Sequence, residues 1–147
     1  AGYQVEAPTL LYMTKQTMGF AYAFQLLGYL VWQTSEKQAR KEITIDTVKN
    51  VLDTYVSELF RNVYHKVYHE MSMREREFVQ AMVKTGQEKV KAQQIGQAMD
   101  KQPGYVSVYR RKLIDDQIIA PAVYGYVHFM LPYFGQYVEE QLIMDQF

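Results

Sequence analysis

Between Lys101 and Lys112 the chain collects side chains that could contact nucleic acid: Lys101, Gln102, Tyr105, Ser107, Arg111 and Lys112, with Arg110 beside them. Lysine and arginine neutralise phosphate, whereas glutamine, serine and tyrosine can hydrogen-bond a base edge. If Val106, Tyr109 and Leu113 face a core at helical spacing, then Tyr105, Ser107, Val108, Arg111 and Lys112 share the opposite face, with Lys101 and Gln102 just ahead of it. The plainer account of Arg110–Lys112 is a solvated helix end whose cations complement the backbone dipole.

Other candidate chemistry is thinner. His65 and His69 stand four apart, a spacing that can hold a metal on one helical face, but Glu70 points elsewhere and no third ligand stands out. Two half-exposed histidines among Tyr64 and Tyr68 is the plainer reading, and His128 reads as structural. The 13 tyrosines recur at core-like spacings, as amphipathic side chains at a core edge do, and the methionines read as packing. The chain contains no G-x-x-x-x-G-K-[ST] loop, no G-x-S-x-G and no cysteine, so neither an enzyme nor a bound cofactor or metal is expected in these residues.

Charge supports the nucleic-acid reading in its distribution. The net charge is zero, yet Lys84–Lys112 holds seven Lys/Arg against Glu88 and Asp100, an excess of five positive charges. Asp115–Phe147 holds five acidic residues and no Lys or Arg. The positive end coincides with the candidate site. The loop Pro121–Gly125 carries no cation, which counts against a strong phosphate grip. With 48% apolar and 22% charged residues in 147, a packed core is expected and disorder is not. No apolar run approaches the ~18 residues of a membrane span, and no signal-peptide layout opens the chain. Absence of cysteine fits a reducing cytoplasm. A start without Met, close to helical sequence, points to a piece of a longer protein.

The elements that must position these residues can be read in order. Residues 1–6 show no period and are expected to be a loose lead-in. Pro8 suits the first turn of a helix, and Met18-Gly19 ends it. A second helix is predicted over about Ala21–Thr34, apolar around much of its girth, so that it is buried on several sides or faces something else. Thr44 is the expected cap of a long helix reaching His69–Met71, with Val48, Val51, Tyr55, Leu59, Val63 and Val67 on one face. Ser72 and Glu75 form the pattern of a reciprocal capping box, and Gly86 is a natural stop. A short helix over Lys91–Met99, a turn at Asp100–Gly104, a helix over Pro103–Ile114, short strands at Ile118–Ile119 and Tyr126–Leu131, and a last helix from Tyr133 to about Leu142 complete the chain. This order is that of a winged helix-turn-helix. The fold class expected is mainly α: a helical bundle over residues 1–71, then a winged helix-turn-helix with a small antiparallel β-wing over 72–147.

In the same order the chain resembles the C-terminal part of prokaryotic P-loop ATPases of the AAA type, similar to archaeal and origin-recognition ATPases. Met18-Gly19-Phe20-Ala21-Tyr22-Ala23-Phe24-Gln25-Leu26-Leu27-Gly28 matches most of that family's lid pattern G-G-Y-P-Y-x-x-Q-L-L-G. Ile43–Val48 matches its I-T-x-x-D-V helix start, and Met71–Phe78 its L-S-x-R-E-R-E-F. Tyr109–Ile119 and Phe129–Phe134 match its closing Y-R-R-x-L-I-D-x-G-x-I and F-x-L-P-x-F. Met18, Ala21 and Gln117 stand where the family has Gly, Pro and Gly. The resemblance implies a lid followed by a winged helix, with ATP and Mg²⁺ bound in a preceding domain. Duplex DNA, that ATPase domain and a homo-oligomer are then the expected partners, and no membrane. The alternatives are a protein-interaction module of the same fold, or a free-standing dimeric transcription regulator.

Overall fold

The structure, a computed structural model, describes residues 2–147 and divides into two compact units, Ala1–Val63 and Tyr64–Phe147. It is mainly helical, with a small three-stranded antiparallel sheet in the second unit. The division falls at Val63/Tyr64 rather than at the Met71–Ser72 junction where the sequence pattern places it.

In the first unit, α1 (Ala7–Thr17) has Pro8 in its opening turn. The left-handed Met18 (φ 51°) ends it, and Gly19 follows at φ 77°. α2 (Ala21–Lys37) lays Ala23, Leu27, Leu30 and Val31 into the core against α3 (Ile45–Leu59). Thr44 caps α3 as expected, in a reciprocal box with Thr47. The Tyr55 hydroxyl donates to the Gln16 carbonyl at 2.8 Å, which ties α3 to the end of α1. The opposite side of α2 leaves Tyr22, Phe24, Tyr29 and Trp32 accessible. The lead-in is not loose: β1 (Gln4–Val5) pairs in parallel with β2 (Glu42–Ile43). Two residues are too short for a period to register.

The long helix from Thr44 is interrupted. A π-helical turn, Phe60–Tyr64, separates α3 from α4 (His65–Glu70). Its wider ring adds one residue to the step, so the buried series runs Val48, Val51, Tyr55, Leu59, then Tyr64 and Tyr68. The predicted stripe through Val63 and Val67 is therefore displaced by one position: both valines are only half-buried, and the tyrosines next to them fill the core.

The second unit continues with α5 (Met73–Lys84), β3 (Val90–Lys91), α6 (Ala92–Met99), α7 (Pro103–Asp115), β4 (Ile119–Pro121), β5 (Tyr126–Phe129) and α8 (Phe134–Met144). The sheet order is β3-β5-β4, all antiparallel, with Lys91 opposite Tyr126 and Ile119 opposite Phe129. β3 was not expected; it is two residues long and its signal merges with the start of α6. Pro121 is not outside the strands but ends β4, which lies at the sheet edge where a missing N–H is tolerated. Phe78, Ile95, Leu113, Ile119, Val127 and Phe134 form the fully buried centre. Tyr64 packs edge-on against Phe134 at 5.2 Å and donates its hydroxyl to the Pro132 carbonyl, joining the unit's first helix to its last.

Gln117 closes α7 in the left-handed region, φ 62°. The Ile118 N–H bonds back to Leu113 and the Gln117 N–H to Ile114, both at 3.0 Å, a glycine-type helix stop made without glycine. A left-handed non-glycine residue costs about 1 kcal/mol or more. Gln117→Gly should thus raise the melting temperature of this unit by about 2–4 °C in thermal denaturation followed by circular dichroism; a fall would contradict the strain.

Candidate nucleic-acid interface

The site is built on the turn between α6 and α7. Asp100 takes the left-handed conformation (φ 55°), and the Lys101 N–H bonds to the Gly96 carbonyl at 3.0 Å, so the chain reverses within a few residues. Gly96 lets the helices approach closely: a Cβ there would sit 3.3 Å from Val106 Cγ2 and 3.4 Å from the Lys101 carbonyl. Pro103, with its fixed φ, opens α7. Between the two helices lies an open cleft of about 690 Å³, lined among others by Gln93, Gln97, Lys101, Gln102, Ser107 and Arg110.

α7 is rolled so that its candidates part into separate faces. Val106 and Leu113 point into the core. Lys101, Gln102, Ser107, Arg111 and Lys112 are exposed, and Val108 is exposed beside them. Arg111 reaches Asp115 at 3.7 Å, a surface pair with both side chains well exposed. Such a pair holds its members weakly, so the guanidinium can exchange to a phosphate. Tyr105 turns aside: its ring lies 5.2 Å from Tyr109 and 5.3 Å below the Lys101 ammonium. The hydrogen bond that the Tyr109 phenol donates to Tyr105, followed by desolvation, pushes that phenol upward. Tyr109 itself is half-buried rather than a core anchor.

Lys112 keeps its side chain 56% exposed but bends back to α5. Its ammonium bonds the carboxylate of Glu75, a residue only 3% exposed. That hydrogen bond, and then the Glu75 charge, raise the Lys112 pKa above its ordinary value. The expected capping box is consequently half-formed. The Ser72 hydroxyl accepts from the Glu75 N–H at 3.2 Å, but the Glu75 carboxylate turns to Lys112, not back to the Ser72 backbone. Of the six candidates, then, Lys101, Gln102, Ser107 and Arg111 border one solvent face, Tyr105 sits on its shoulder, and Lys112 is engaged in holding α7 to α5.

Arg110 belongs to the site although it was not among the candidates. One turn from Ser107 toward α6, it enters the cleft with Gln93 and Gln97; counting helical steps from Val106 and Leu113 places it there. Beside the cleft, Lys91 immediately precedes α6 and lies 6.0 Å over the ring of Tyr126, at the root of the β4–β5 hairpin. The hairpin turn, residues 121–125, is without cations. Elsewhere, the His65 and His69 rings meet edge-on at 4.1 Å on the surface, and the Tyr137 hydroxyl lies 3.4 Å from His65 Nδ1. Among the described residues no group of three or more His, Cys, Asp or Glu side chains could hold a metal, and no helix is long and apolar enough to cross a membrane. His128 is half-buried with Nδ1 3.1 Å from the Phe129 carbonyl.

A family model described as "Domain of unknown function (DUF8462)" matches residues 61–138, from the π turn into α8, and the chain belongs to that family. No curated protein matches the chain.

The Glu75–Lys112 pair yields a test. Lys112→Met strands a buried carboxylate and should lower the melting temperature by several degrees, whereas Glu75→Leu with Lys112→Met should recover about half of that loss or more. Because the Lys112 pKa is raised in the folded state, the pair's contribution is full below the ordinary lysine value of 10.5 and is lost as pH climbs past the folded value. The gap between wild type and the double variant should therefore stay constant across neutral pH and change in alkali. A double variant no more stable than Lys112→Met would contradict the assignment.

Proposed function

We propose that the second unit is a winged-helix DNA-binding module. The observation that carries this reading is the succession α5, β3, α6, α7, β4, β5 with its β3-β5-β4 sheet, the order in which a helix-turn-helix is followed by a β-wing. In such modules the second helix of the pair enters the major groove with its N-terminal residues at the base edges. Here that helix is α7, and Gln102, Ser107, Arg110 and Arg111 are the side chains it would present. Lys101 and Lys91 would meet phosphates on either side of the cleft. The positive excess of Lys84–Lys112 would draw the polyanion to this face.

The first unit is read, by resemblance, as the lid of an AAA-type ATPase whose nucleotide-binding domain precedes it. ATP and Mg²⁺ would then be bound outside these residues. α2 contains no arginine and begins without the family's proline, so no contact with a γ-phosphate is assigned to it. A second reading, docking on a protein such as that ATPase domain, is favoured by the accessible Tyr22, Phe24, Tyr29 and Trp32 on α2. It concerns the first unit and is compatible with DNA contact by the second.

Fluorescence anisotropy with a duplex of mixed sequence tests the proposal. Binding should weaken by roughly an order of magnitude or more between low and physiological salt. Arg111→Ala and Arg110→Ala should each weaken it, and Lys101→Ala should flatten the log–log salt slope by about one unit. No binding at low salt would overturn the DNA reading.

A further inference from the structure

α2 buries Ala23, Leu27, Leu30 and Val31, yet its opposite side is aromatic instead of charged. Tyr22, Tyr29 and Trp32 are 41%, 55% and 45% exposed. Together with the exposed Gln25 they stand at steps of three, four and three residues, and Glu36 follows four further on. Side chains at those steps share one face of a helix, and a stripe of that period is the seam along which one helix pairs with another. The rings of Tyr29 and Trp32 lie 6.1 Å apart within it.

The seam also contains a socket. Gly28 sits inside α2, where glycine weakens a helix. A Cβ built there would meet nothing within 4 Å, so packing within the chain does not call for glycine. Gln25, Gly28, Tyr29 and Trp32 are related as i, i+3, i+4 and i+7, the four positions that frame the hole for one knob of a facing helix. With no side chain on Gly28, the hole is wide enough for an aromatic ring. Charge then narrows the choice of occupant. From Ala7 to Ser35 the one ionised side chain is Lys15. A charged partner would bury its ions unpaired against this face, and a helix lying on a membrane surface would carry lysine and arginine on its polar side. A second copy of the chain supplies the same neutral aromatic surface.

We propose that α2 pairs with α2 of a second copy, antiparallel about Tyr29, each Tyr29 ring entering the Gly28 socket of the other. This rests on the docking reading of the first unit and names its partner. In that register Trp32 lies opposite Gln25 and Leu26, and the Gln25 amide oxygen can accept from the indole N–H. Glu36, which also accepts from the Tyr3 hydroxyl, meets the opening turn of the other α2. That turn has no acidic residue and no side-chain cap on its backbone N–H groups, so a carboxylate is favourable there. A parallel pair would instead set Glu36 against Glu36. Tyr22, Phe24, Tyr29 and Trp32 expose on the order of 400 Å² between them, about half of what each partner buries in a standard interface. The dimer is accordingly a weak one that forms as concentration rises.

The test follows the full chain by sedimentation velocity from micromolar to millimolar concentration. Trp32, the chain's single tryptophan, reports on the seam by its emission in the same samples. Wild type should pass from monomer to dimer, with the emission moving to shorter wavelength as it does. Gly28→Leu fills the socket and should weaken dimerisation about tenfold or more. It should melt no lower than wild type, since leucine favours the helix and its Cβ enters open space. Tyr29→Ala, which removes the knob, should weaken dimerisation likewise. A wild type that stays monomeric at millimolar concentration, or a dimer that Gly28→Leu leaves unchanged, overturns the pairing and leaves docking of α2 on a different protein standing. An indole already shielded from acrylamide in the dilute monomer overturns docking on this face altogether.

Discussion

Glu75 is a carboxylate with 3% of its surface exposed, and an ionised group in that position persists only with a cation against it. α7 supplies the cation through Lys112. The contact fits one roll of α7 against α5. The roll in turn sets everything presented to solvent. With Lys112 facing α5 and Val106 and Leu113 facing the core, Ser107 and Arg111 must point outward and Arg110 must enter the cleft beside α6. A buried ion pair adds little net stability compared with a well-packed apolar pair. Its contribution here is orientation.

The second constraint is the close approach of α6 and α7 at Gly96 and Val106. Together with the left-handed Asp100 it makes the interhelical turn short and the cleft open to solvent. The hairpin is joined to the unit by a narrow sheet in which β3 and β5 share only two residue pairs.

Much of this was legible in the residues. The spacing of Val106 and Leu113 predicted the buried side of α7, Thr44 and Ser72 predicted two helix starts, and the Gly/Pro punctuation separated the strands. Three features escaped for physical reasons. The π turn at Phe60–Tyr64 leaves no compositional mark, yet it moves the buried stripe onto Tyr64 and Tyr68. β1, β2 and β3 are two residues each, too short to show alternation. Glu75 fits a capping box by pattern, but the local bond competes with a distant lysine that only the tertiary fold brings near, and the lysine wins. The left-handed residues at Met18 and Gln117 show the reverse: the chain takes glycine's backbone conformation there without glycine.

The most direct measurement is a chemical-shift map of the ¹⁵N-labelled chain titrated with a short duplex at low salt. The account predicts that perturbed amides fall on Lys91–Gln93 and on Lys101–Arg111, with the amides of α2 unaffected. Perturbations confined to α1 and α2, or none at saturating duplex, would contradict it.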